Sequence, residues 1–142
     1  MGIRRTAREA ALQFLFQDDF VLHKLQPCKD LDDRFAVFCG LYQVNKKARP
    51  YMLTLLRGIM EQCGPVDLLI EGNAKNWRLD RIAATDRNLM RIAVYEMIYC
   101  DDVPAQVAIN EALEIAKRFG SDESPAFING VLDGVKNDMN RK

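Results

Sequence analysis

Three arginines, Arg4, Arg5 and Arg8, fall within the first two turns of an opening helix, and Glu9 is the first acid to follow them. Cationic side chains at a helix N-terminus oppose the helix dipole and repel one another, at about 0.3 kcal/mol or more each. A solvated terminus can carry that cost. A phosphate-binding patch gives it a use, because planar guanidinium forks grip phosphate oxygens and stack on bases. The lack of any acid among the three favours the patch. On the same helix Arg5, Leu12 and Phe16 lie within about 40° of one another at about 100° per residue, well away from the main apolar face. An apolar pair at i and i+4 off the core face serves either a partner or a second neighbouring helix.

Enzyme chemistry finds no comparable constellation. There is one histidine, His23, with no ligand-spaced companion, and no G-x-S-x-G, H-E-x-x-H or glycine-rich strand-to-helix loop. Cys28, Cys39, Cys63 and Cys100 are widely spaced without a C-x-x-C pair, the pattern of buried reduced thiols rather than of zinc ligands. No metal and no cofactor is expected. Glu96 alone among the carboxylates falls inside an apolar stripe, where it needs a cation such as Arg81 or Arg118, or backbone N–H groups. It reads as a structural polar lock rather than a catalytic acid. Lys plus Arg number 20 and Asp plus Glu 20, so nucleic-acid binding would have to come from a local patch. No apolar run approaches the ~18 residues of a membrane span, and the charged start lacks the apolar run of a secretion signal. A cytoplasmic protein is expected.

The elements that must hold these residues all read as helices; sustained two-residue alternation is missing. The first covers about Ile3 to Leu22, with Ala7, Ala10, Ala11, Phe14, Val21 and Leu22 as its core face. Pro27 interrupts, and Asp30 caps a second helix, Leu31 to about Lys46, with Leu31, Phe35, Phe38 and Tyr42 along one side. A third runs from about Pro50 to Cys63 on Met52, Leu55, Leu56 and Ile59. Gly64-Pro65 marks a boundary between an N-terminal part, 1–63, and a C-terminal part, 64–142. A fourth helix follows from Val66 to about Trp77.

The organising stretch is Thr85 to Phe119. Its first helix, capped by Thr85, is apolar nearly all round, which marks a buried helix. Pro104 breaks the chain, and an amphipathic helix with Ala108, Ile109, Ala112, Leu113, Ile115, Ala116 and Phe119 on one side runs to Gly120, expected in the left-handed position. Ser124-Pro125 opens a seventh helix, whose Gly130 and Gly134 suggest a neighbouring backbone lying close. Beyond Lys136 the tail reads as polar and frayed.

These residues resemble a family. Arg4 to Gln17, Leu89-Met90-Arg91-Ile92-Ala93-Val94-Tyr95-Glu96-Met97, Asp102-Val103-Pro104, Val107 to Ala112 and Phe127-Ile128-Asn129-Gly130-Val131-Leu132-Asp133 look like the signatures of the NusB transcription antitermination factors, in family order over the whole chain. The resemblance implies an all-α fold of about seven helices in two perpendicular bundles, three helices then four. It implies binding of boxA-type single-stranded RNA together with ribosomal protein NusE, within a complex on elongating RNA polymerase. It assigns RNA contact to Arg4, Arg5, Arg8, Arg91 and Phe127, and partner contact to Phe16 and Asp86, with Leu12 beside Phe16 from the periodicity. Phe16 stands where the family usually has tyrosine, and Pro125 and Ala126 replace residues that are often polar. Two alternatives stay open: an interaction module or homodimer of the same fold without RNA binding, and a methyltransferase appendage, which this chain is too short to accompany with a cofactor domain.

Overall fold

The computed structural model describes residues 2–20, 30–75 and 78–140, with no account of the side chains at 19 and 20. The expectations placed on Val21, Leu22, His23, Pro27, Cys28 and Trp77 lie outside the described residues. Among these residues the chain forms seven α-helices, one short 3-10 turn and no strand. It divides into two compact units, Met1–Gln62 and Cys63–Lys142.

The first unit holds α1 (Ile3–Phe20), α2 (Leu31–Leu41) and α3 (Arg49–Glu61). Ala7, Ala10, Ala11 and Phe14 of α1 are buried as the periodicity demands, and Met52, Leu55, Leu56 and Ile59 anchor α3. Phe38 sets its ring edge-on to Phe14 at 5.5 Å, and the Gln17 amide donates to the Tyr42 hydroxyl at 2.6 Å. Arg34 pairs with the buried Asp18 while its guanidinium lies 5.0 Å over the Phe14 ring.

Helix α2 stops earlier than its apolar spacing suggests. Gln43 takes a positive φ of 51°, and the Val44 N–H reaches back to the Cys39 carbonyl at 3.1 Å. This is the six-to-one closure of a Schellman end, made by glutamine where glycine is usual. With no glycine at that position, the sequence carries no stop signal.

The second unit holds α4 (Cys63–Asn73), a 3-10 turn (Leu79–Arg81), α5 (Ala84–Tyr99), α6 (Ala105–Phe119) and α7 (Ser124–Asn140). Gly64-Pro65 lies inside the first turn of α4, where a proline's missing N–H costs nothing, so the break falls at Gln62. Helix α5 is enclosed: Leu89, Met90, Ile92, Ala93, Val94 and Met97 are buried, and so are Asp86, Asn88, Arg91 and Glu96. It starts one residue before Thr85, with Ala83 as a cap that offers no side-chain bond. Arg87 instead ties the preceding segment to the helix, donating to the Ile82 carbonyl at 2.9 Å and the Leu79 carbonyl at 3.3 Å. Helix α6 lies on α5 by its apolar side, Ala108, Ile109, Ala112, Ile115 and Ala116.

Two glycine expectations need correction. Gly120 is extended (φ −97°, ψ −171°) rather than left-handed. Glycine is required there by proximity, since a Cβ would stand 2.6 Å from Ser124 Oγ. That hydroxyl accepts the Ser121 N–H at 2.9 Å and ties the α6–α7 turn. At Gly134 the close neighbour is a side chain rather than the expected backbone, with a Cβ only 2.3 Å from Asn73 Oδ1 of α4, and Gly130 faces open space. The tail is not frayed at Lys136: α7 continues to Asn140, and Asp138 accepts from the Asn73 amide at 3.0 Å.

Candidate nucleic-acid interface

Helix α1 begins at Ile3 with no acid in its first turn, so Arg4 and Arg5 both stand at the positive end of the dipole. Arg4 is exposed and Arg5 half-buried. The Arg4 guanidinium lies 4.6 Å over the ring of Tyr51 on α3, and that of Arg8 lies 5.9 Å from the same ring. Arg8 is only 4% exposed, so its expected place on an RNA surface is corrected. Four residues on from Arg4, it faces the same side of α1, where α3 packs, and it is covered there.

Further along α1, the expected apolar pair separates. Phe16 is 40% exposed, but Leu12 is 2% exposed. Leu12, Phe14 and Leu15 are all buried, so α1 is enclosed on more than one side and Leu12 is core rather than docking surface. A single helix's angular pattern cannot tell a stripe for a partner from a stripe for a second internal neighbour.

In the second unit Asp86 and Phe127 come together. They line a groove of about 290 Å³ with Arg81, Ile82, Ser121 and Ser124. Phe127 is half-buried, an aromatic face in a groove that also carries one cation, Arg81, two hydroxyls and the carboxylates of Glu123 and Asp86, the latter 8% exposed. A ring of this kind can stack on an unpaired base while the polar groups meet its edge. Arg78 is spent on Asp80 at 3.0 Å, a bond that holds the Asp80 carboxyl below its ordinary range and leaves Arg81 as the groove's cation.

Arg91 is not in that groove, and its assignment to RNA is corrected. Its guanidinium makes a fork to Asp67 of α4, Nε to Oδ1 at 2.8 Å and Nη2 to Oδ2 at 3.0 Å, and Nη1 donates to Asn88 at 2.9 Å. A bidentate pair 7% exposed on the arginine side is a structural clamp between α4 and α5. Glu96, at 1% exposure, is sealed as a polar lock would be. Tyr51 and Ser121 have no place among the sequence expectations, and Arg81 entered them only as a possible partner of Glu96; only Tyr51 had a signal, an aromatic directly after Arg49-Pro50.

Nothing else on the described surface suggests catalysis. Burial pushes the Cys39 thiol up, outweighing the opposing charge of Arg49, so the thiolate a nucleophile needs is disfavoured. Among the described residues no group of three or more His, Cys, Asp or Glu could hold a metal ion. Nor is any described helix long and apolar enough to cross a membrane.

Comparison with known proteins finds relatives over nearly the whole chain. The model of the NusB family matches residues 5–137. The transcription antitermination protein NusB of Desulfotalea psychrophila is 60% identical over 136 residues, covering 96% of each chain. That of Bacillus subtilis is 43% identical over 136 residues, again 96% of each. Among solved structures, T. maritima NusB superposes with a TM-score of 0.80 at 34% identity, over 95% of this chain and 91% of that one. A structure of antitermination factors NusB and NusE in complex with dsRNA shares the fold, with a TM-score of 0.81 at 22% identity, over 97% and 98% of the two chains.

Proposed function

The chain belongs to the NusB family, and from that membership we propose that it is a transcription antitermination factor that binds boxA-type single-stranded RNA jointly with ribosomal protein NusE. It acts on the elongating RNA polymerase complex, in the cytoplasm, to support ribosomal RNA transcription. It is a binding factor and not an enzyme. The observation that carries the RNA reading is the pair of cations at the start of α1, Arg4 exposed and Arg5 half-buried, in a first turn that holds no acid. A net charge of +0 leaves this local patch to supply the attraction. Phe127 and Arg81 offer a second contact, a stacking face beside a cation.

Phe16 and Asp86 are the candidate NusE contacts. An exposed phenylalanine is the kind of side chain that anchors a protein interface, and Phe16→Asp is expected to weaken NusE binding roughly ten-fold or more. The melting temperature should stay that of the parent; a variant that fails to fold would make Phe16 a core residue. The function is tested by a gel shift with a boxA-type RNA, with and without NusE. A shift that strengthens with NusE supports the proposal. Self-association without any RNA shift would favour the homodimeric interaction module instead.

A further inference from the structure

Two guanidinium groups share the ring of Tyr51, and they belong to residues one helical turn apart on α1. Like charges at i and i+4 repel, and both sit at the positive end of the helix dipole. The face of an aromatic ring carries the negative part of its quadrupole and attracts each cation in turn. Tyr51 is half-buried. It stands in the first turn of α3 after Pro50, flanked by Met52 and followed one turn later by Leu55, both fully buried. Arg8 is covered while Arg4 remains exposed, so the ring ends in one cation that solvent, or a ligand, can reach.

We infer that Tyr51 is a positioning residue for RNA binding: it fixes the Arg4 guanidinium, backed by Arg8, on the surface of α1 before RNA arrives. This rests on the RNA-binding reading of the α1 patch. A long, flexible side chain loses rotamer freedom when it grips a phosphate or stacks on a base, and a ring already under its guanidinium removes part of that loss in advance. The tyrosine does so through its π face, which phenylalanine shares and leucine lacks.

The test uses the intact chain with NusE and a fluorescently labelled boxA-type RNA, comparing the parent with Arg4→Ala, Tyr51→Phe, Tyr51→Leu and the double variant Arg4→Ala/Tyr51→Leu. Tyr51→Leu is expected to weaken RNA binding about two- to five-fold through release of the Arg4 guanidinium. Tyr51→Phe should restore parental affinity, and both should melt with the parent. In the Arg4→Ala background, Tyr51→Leu should cost less than it does alone. Independently of RNA, the ring current should displace the Arg4 side-chain proton resonances upfield in the parent and in Tyr51→Phe but not in Tyr51→Leu. Parental affinity in Tyr51→Leu while Arg4→Ala is weak would overturn the inference and leave the RNA reading standing. Equal losses in Tyr51→Phe and Tyr51→Leu, or strictly multiplicative single effects, would overturn it too. Absence of RNA binding by the parent would remove the RNA reading and the inference with it, even if the resonances showed the stack.

Discussion

Replacing Arg91 with alanine is expected to destabilise the protein by about 3–5 kcal/mol, the cost of leaving one partner of a buried pair uncompensated. Asp67 would lose both arms of the fork, and Asn88 the donor at 2.9 Å, in a region where the arginine is 7% exposed. At the few degrees per kcal/mol usual for a chain of this size, the melting temperature should fall by roughly 10 °C or more. Urea denaturation would give the same loss as a lower midpoint at unchanged slope. An apolar exchange of both partners, Arg91→Met with Asp67→Leu, should recover most of it, because the desolvation cost of the pair disappears together with its attraction. RNA affinity measured where both proteins are folded should be unaffected. A variant that melts with the parent yet loses RNA would return Arg91 to the interface that the sequence suggested.

Leu12→Ala carries the second large effect. Leu12 is 2% exposed, and truncating a buried leucine costs about 2–5 kcal/mol through lost transfer energy and the cavity left behind. Thermal melts of Leu12→Ala beside Phe16→Asp make a direct contrast between two residues that share one helical stripe. The first should unfold early and bind NusE normally while folded. The second should melt with the parent and bind poorly.

The central helices were legible in the sequence because their burial comes from composition around the whole circumference. An α5 with apolar residues on every side has nowhere to go but inside, and Pro104 marks the break before α6 whatever surrounds it. Helix ends were less legible, since caps depend on geometry that several residue types can supply. Gln43 takes a backbone angle for which glycine was the expected signal, and α5 starts after Ala83 with no side-chain cap bond where Thr85 looked like the cap. Gly120 is required for a reason invisible to local rules, its distance from Ser124.

The candidate site divides along the same line. Arg4 and Phe16 keep their expected exposure because a helix start and an off-core ring are local features. Arg8, Leu12 and Arg91 were placed outside by angle or by family pattern, and each is enclosed by residues distant in sequence: Tyr51 lies 5.9 Å from the Arg8 guanidinium, and Asp67 on α4 engages Arg91. Periodicity locates a face of a helix; it does not say how many faces are covered. Tyr51 joins the site only through the packing of α1 on α3.

The salt dependence of RNA affinity tests the account most directly. On single strands, log K falls against log salt by about 0.7 for each phosphate neutralised. The line should be steep for the parent with NusE, and shallower by roughly that amount for each of Arg4→Ala and Arg5→Ala at parental melting temperature. Parallel lines for parent and variants would mean that the α1 cations touch no phosphate, and would contradict the account.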